Sequence, residues 1–244
     1  MIQFYAPDIA ATPILPEGES QHCVKVLRHA EGDEITVTDG KGHRYACRIT
    51  GAHQKHTTVE IISTEEIPVF WPAPITIAVA PTKHLDRMEW LTEKLTEIGF
   101  DRLVPVLCRW SERKELKTER LDKIAVSAMK QSLKATVPAI EPMTPFRKFI
   151  DQTAGVPQRF IAHCEKDAPR RLLSQAYRPG VETAILIGPE GDFSPEEIAL
   201  ALDAGWQPVS LGDARLRTET AALVACQTCH TLNQLAQAPS VTGD

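Results

Sequence analysis

The amino-acid sequence predicts an α/β protein: a mostly parallel sheet with helices on both faces, preceded by a small β-barrel domain. Three observations carry this. Over the first ~65 residues, short apolar–polar alternations are separated by turn residues, as in small barrels. Residues 67–74, IPVFWPAP, carry three prolines, which interrupt sheet and helix alike and mark a linker. Beyond it, continuous apolar runs alternate with amphipathic ones, the pattern of strands covered on both faces by crossover helices. The expected domains are 1–70 and 71–240.

In the first domain, ESQHCVKVLR has helical spacing through Val24 and Leu27, with Ser20 as its expected cap. GDEITVTDGKGHRYACRITGAHQKHTTVEII then alternates around turns at Asp39-Gly40 and Lys41-Gly42. Ile35 and Val37, Tyr45, Cys47 and Ile49, and Val59 and Ile61 fall on inward faces. In the second domain ITIAVA (75–80) reads as a buried strand. LDRMEWLTEKLTEIG is an amphipathic helix with Met88, Leu91, Leu95 and Ile98 inward and Gly99 as its stop. Strands 103–108, 159–164, 183–189 and 208–212 follow, with helices 118–134, near 169–177, 194–204 and from about 218. The tail QAPSVTGD is expected to be loose.

Net charge is −5, which argues against a polyanion partner for the chain as a whole. Its distribution differs. Residues 109–134 hold eight basic residues against four acidic ones, while residues 1–70 and 135–244 are each acidic. That stretch reads either as a footprint for a polyanion or as a solvated helix face. The N-terminus lacks a signal-peptide pattern and no run approaches ~18 apolar residues, so a cytoplasmic protein is expected. The string CQTCH (226–230) matches a haem-attachment pattern but lies inside an apparent helix and lacks a second pair. It reads as a packed helix face, and no metal is expected.

Two connections look specialised. AILIGPEGDFSPEE (184–197) runs from an apolar strand through Gly188 and Gly191 to a capping box of Ser194 and Glu197. VSLGDARLRTETAALVA (209–225) places Gly212 at a strand end and Thr218-Glu219-Thr220 at a helix start. Neither phosphate-loop nor dinucleotide glycine patterns are present. The acids Glu190 and Asp192 would repel a phosphate. A phosphate-free, cationic nucleoside such as S-adenosylmethionine suits such a loop better.

LIGPEGDFSPEEI and LGDARLRTETAA together resemble the paired signatures of RsmE-type 16S ribosomal RNA uridine-N3 methyltransferases, of the SPOUT superfamily. The resemblance extends along essentially the whole chain. HCVKVLRHAEGDEITVTDGKGHRYACRI is similar to that family's PUA-like RNA-binding barrel, and PTKHLDRMEWLTEKLTEIGFDRLVPVLCRWSER to the start of its catalytic domain. It implies a trefoil-knotted sheet, a homodimer formed through the knot region, and methylation of one uridine in the small subunit. Two departures stand out. Asp192 replaces the second glycine of the usual G-P-E-G-G. Lys130-Gln131 and Lys134 stand where a Glu-Gln pair and an arginine are usual.

The resemblance puts Leu186, Gly188, Glu190 and Gly191, then Leu211, Gly212, Leu216, Arg217 and Thr218, in the cofactor pocket. Arg217 is the candidate for stabilising the uracil anion. Glu219 is the candidate base, or else a cap for the last helix. RNA contacts are expected from Arg28, Arg109, Arg113, Lys130 and Lys134, with an ion pair to Glu31 or Glu34 as the alternative for Arg28. His22, Trp90 and Trp110 are expected to pack rather than to bind. Two other classes stay open: a nicotinamide- or nucleotide-dependent small-molecule enzyme, and a non-catalytic RNA-binding protein on the same fold.

Overall fold

The structure, a computed structural model, describes residues 2–165 and 170–237, so most of the predicted loose tail lies outside the described residues. The chain forms two compact units, Met1–Phe70 with Ala125–Val137, and Trp71–Ile124 with Pro138–Asp244.

In the first unit, β1 (Gln3–Tyr5), β2 (Glu34–Thr38), β3 (His43–Gly51) and β4 (Thr58–Glu66) form one sheet in that order, parallel at β1–β2 and antiparallel elsewhere. Leu15 N donates to Thr57 O (2.9 Å) and Val59 N to Pro13 O (3.0 Å), so the N-terminal segment borders both edges of the sheet. The predicted alternation holds: Ile35, Val37, Tyr45, Cys47, Ile49 and Val59 are buried together with Phe4, Ile9 and Leu15. Asp39 Oδ1 accepts from Lys41 N (2.7 Å) and His43 N (3.1 Å), which builds the predicted turn.

One expectation fails here. The helix α1 (Glu17–Gln21) starts after Pro16, with no side-chain cap, and passes into a π-helical turn at His22–Val26. Ser20 is wholly buried. Its hydroxyl donates to Leu15 O and accepts from Thr57 N, both at 2.9 Å. It pins the helix to the sheet instead of capping it. The sequence also gave no sign that residues 125–137 join this unit. Gly42 N donates to Ala135 O and Val137 N to Gly40 O, both at 2.9 Å, and Gln3 Nε2 donates to Lys134 O at 2.7 Å.

The second unit contains β5 (Ile75–Val79), α2 (Leu85–Ile98), β6 (Arg102–Leu107), the beginning of α3 (Glu119–Gln131), β7 (Ala139–Ile140), β8 (Thr144–Pro145) and α4 (Phe146–Gln152). It continues with β9 (Gln158–Ala162), β10 (Arg171–Leu172), α5 (Leu173–Ala176), β11 (Thr183–Ile187), α6 (Pro195–Asp203), β12 (Gln207–Ser210) and α7 (Thr218–Gln237). The strands are parallel in the order β10-β12-β9-β11-β5-β6-β7, with β8 beside β6. Alternate residues of each strand feed two cores. Ile75, Ile77, Val79, Ile185 and Ile187 pack with α2, α5 and α7, while Ala78, Ala184 and Leu186 pack with α4 and α6. Burial on both faces is why these strands read as unbroken apolar runs. The sequence reading missed α4, although Phe146, Phe149 and Ile150 have the i, i+3, i+4 spacing. Seven residues are too few for that period to stand out.

The haem-like string has a structural use. Cys226, Cys229 and His230 are buried on α7. Cys226 Sγ lies 3.3 Å and His230 Nε2 2.7 Å from Gly99 O, at the end of α2. Gly99 has φ 116°, and a Cβ there would fall 2.5 Å from the Trp71 ring, so the predicted helix stop is also where an indole closes over the backbone. Burial raises both thiols, Cys229 to about 12, so neither is a ready metal ligand. Among the described residues no helix is long and apolar enough to cross a membrane.

Candidate active site

Parallel sheets of this kind bind ligands beyond the carboxyl ends of their strands. Five connections meet that description, following β5, β6, β9, β11 and β12, and hydrogen bonds tie them into one cluster. Thr218 Oγ1 donates to Gly188 O (3.2 Å), joining the two connections singled out in the sequence. Glu190 Oε1 accepts from Lys83 N (3.1 Å) in the β5–α2 loop. Asp192 Oδ2 accepts from Cys164 N (2.8 Å) after β9.

The capping box of α6 forms as expected. Glu197 N donates to Ser194 Oγ (3.2 Å) and Ser194 N to Glu197 Oε2 (2.9 Å). The other carboxylate oxygen accepts from Arg109 N (2.8 Å), which attaches the loop after β6.

Each glycine of the β11–α6 loop has its own reason. A Cβ on Gly188 would lie 3.0 Å from the Phe193 ring, so glycine is needed there to admit a core aromatic. Gly191 is exposed, with Trp110 Cβ on one side. Asp192 has φ 65°, the left-handed conformation that Asp tolerates better than most side chains. The backbone here takes a conformation that glycine also adopts readily, and the carboxylate adds an acceptor that holds the β9 loop. Gly212, at φ 118°, turns the chain away from β12.

The remaining predicted cofactor residues divide. Leu211 and Leu216 are half-buried, Glu190 and Arg217 exposed and Thr218 buried. Leu186 is one residue before the carboxyl end of β11, with its side chain wholly buried in the α4/α6 core and its backbone in register with Ala78 and Ile161. Glu219 is buried on the first turn of α7. Its Oε1 lies 3.8 Å from Arg87 Nε, while Oε2 is buried without a hydrogen-bond partner. The sequence reading missed Arg87 and also His163, which follows β9. His163 is buried with Nε2 unpartnered, and burial, then Arg170, hold it below the usual imidazole range. The available signal was a lone histidine directly after the apolar run Phe160-Ile161-Ala162.

An RNA methyltransferase domain profile matches residues 70–230, and an RNA methyltransferase PUA domain profile matches residues 15–62. The chain belongs to the RNA methyltransferase family. It is 30% identical over 223 residues to ribosomal RNA small subunit methyltransferase E of a Synechocystis species, covering 89% of this chain and 72% of that one. The crystal structure of a probable rRNA-methyltransferase from Porphyromonas gingivalis superposes with a TM-score of 0.93 at 47% identity, covering 97% and 100% of the two chains. Ribosomal RNA small subunit methyltransferase E from Neisseria gonorrhoeae, bound to S-adenosyl methionine, gives 0.83 at 29% identity over 95% and 98%. The N-terminal unit of this methyltransferase is therefore PUA-like.

The residues expected to touch RNA are not equally available. Arg109 is exposed beside the glycine loop. Arg113 is occupied, donating to Thr82 O (3.1 Å) and Lys83 O (2.7 Å) and so shaping the β5–α2 loop. In the first unit, Lys130 forms a largely buried ion pair with Glu19 (2.5 Å), and Lys134 Nζ lies 5.9 Å from the centroid of the Phe70 ring. Lys130 in the family's glutamate position is thereby explained: its partner here is an acid. Arg28 is exposed at φ 62°, and Glu34 pairs with Arg48 instead. Trp90 and Trp110, expected in the core, are 42% and 46% exposed.

Proposed function

We propose that this chain transfers a methyl group from S-adenosylmethionine to N3 of one uridine in 16S ribosomal RNA of the small subunit. The observation that carries the reading is the Thr218–Gly188 hydrogen bond, which makes one cluster of the two signature loops. Its donor set suits this cofactor. Backbone around Gly188, Gly191, Leu211 and Gly212 serves a nucleoside, Leu211, Leu216 and Thr218 supply walls, and Glu190 tolerates a positive sulfonium. When bound, the cofactor supplies the methyl group and leaves as a neutral thioether.

The chain's own residues then do the rest. Arg217, exposed beside the pocket, holds the nucleotide or balances the developing uracil anion. Glu219 takes the N3 proton. A uridine must be unpaired or swung out of its stack to reach them. Arg109 and the PUA-like unit, with Arg28 on its surface, supply RNA affinity. The trefoil knot, a homodimer through the knot region, action on the assembled subunit and a cytoplasmic location complete the reading, on the strength of the resemblance.

The test is chemical. Deleting the gene and digesting small-subunit RNA should reveal, by mass spectrometry, one uridine lighter by a methyl group, restored by the purified enzyme with S-adenosylmethionine. An unchanged methylation map, or restoration of a base other than uridine, would overturn it.

A further inference from the structure

The acid on α7 and the arginine on α2 form a device that the sequence did not reveal. Glu219 is 6% exposed, yet only one of its oxygens faces a cation, and that at 3.8 Å, longer than a hydrogen bond. The other oxygen is fully buried and has no hydrogen-bond partner. An unsatisfied buried carboxylate oxygen is costly, and such groups point to a ligand that completes them. Glu219 follows directly on Thr218, which contacts Gly188 O, so the helix turn that carries it borders the cofactor cluster.

The charges around it are few. β5, β11 and α5, all packed against α7, carry no charged residue. On α2, Glu89 is paired with Arg120, and Glu93 and Glu97 with Lys94, while Asp86 is exposed. Arg87 is thus the cation that faces Glu219. The ion pair at this distance draws Oε1 toward α2 by charge attraction and leaves the second oxygen as the acceptor without a partner.

We infer that Arg87 is a positioning residue: it holds Glu219 so that Oε2 accepts the N3 proton of bound uracil. The N–H bond breaks and the proton moves to Oε2. The nitrogen pair freed by this step bonds to the incoming methyl carbon, whose bond to sulfur breaks with its electrons staying on sulfur. The carboxylic acid then returns its proton to solvent. Arg87 itself touches neither substrate nor cofactor. This inference rests on the methyl-transfer reading above.

The experiment is a double-mutant cycle with the full-length enzyme and small subunits lacking the methyl group. Arg87→Gln should lower kcat by roughly tenfold or more, with KM for RNA and calorimetric affinity for S-adenosylmethionine within about threefold. Arg87→Lys, which keeps the charge and packs similarly, should recover most of the loss. Glu219→Gln should lower kcat by about 100-fold or more, and the double variant should be no slower than Glu219→Gln alone. Full kcat in Arg87→Gln, no recovery in a folded Arg87→Lys, or losses that multiply in the double variant would each overturn the role of Arg87. Full kcat in Glu219→Gln would instead remove the base from the underlying reading, which separates the two failures.

Discussion

Asp192 offers a measurement in which backbone conformation and a side-chain hydrogen bond can be separated. The residue sits at φ 65° and accepts from Cys164 N at 2.8 Å. Replacing it with asparagine keeps both the tolerated conformation and an acceptor but removes the charge, at a cost of about 0.5 kcal/mol. Glycine removes the acceptor, a loss of about 1 kcal/mol for an exposed hydrogen bond to a carboxylate. It also relieves ~0.5 kcal/mol of left-handed strain and adds about 0.5 kcal/mol of unfolded-chain entropy, for a net cost near ~1 kcal/mol. Alanine loses the same bond and adds about 1 kcal/mol of strain, giving ~2 kcal/mol. The expected stability order is wild type, Asn, Gly, Ala, read from urea midpoints without cofactor. Because alanine and glycine both lack the acceptor, their difference of about 1 kcal/mol isolates the conformational term. Calorimetry with S-adenosylmethionine should place Gly close to wild type and Ala weaker. An alanine variant as stable as the glycine one would refute the reasoning, since the left-handed backbone would then carry no cost.

Two further outcomes follow from the same geometry. His163 is held below its usual value of 6.5 by burial, so the folded chain resists a proton that the unfolded chain accepts. The unfolded state therefore binds more protons below that value, and stability should fall as pH drops from it through the folded value. His163→Gln should flatten this dependence as pH falls below the usual histidine value, and an unchanged slope would remove the histidine as its source. Lys130→Ala strands Glu19 and should cost about 2 kcal/mol, below the fully buried range because both side chains keep some exposure, while sparing RNA affinity. Arg109→Ala should leave stability within about 0.5 kcal/mol and reduce the salt slope of RNA binding by about 1. A larger RNA defect in Lys130→Ala than in Arg109→Ala would reverse these assignments.

Much of the fold was legible because its signals are local. Strands 75–79 and 183–187 announce themselves by apolar runs, α2 by its stripe and Gly99, and α6 by a capping box of neighbouring residues. The short pieces β7, β8, β10 and α4 were not legible, since two to seven residues cannot establish a period. Within the site, the two signature loops were visible by composition, whereas the partners of individual side chains were not. Arg113, Lys130 and Arg109 look equivalent as basic residues. Only packing distinguishes a guanidinium bound to loop carbonyls and an ammonium held by an acid from an arginine left at the surface.

By itself, then, the sequence determined the α/β alternation, the change of character near residue 70, and a glycine-bearing connection that lacks a phosphate-loop pattern, because each depends on neighbours within one turn or strand. The tertiary structure alone decided that Thr218 meets Gly188, that residues 125–137 join the N-terminal unit, and that Arg87 faces Glu219. These partners are separated by 30 to more than 100 positions: burial against the eight-stranded sheet brings the first and last pairs together, and hydrogen bonds to Gln3, Gly40 and Gly42 hold residues 125–137 in the other unit.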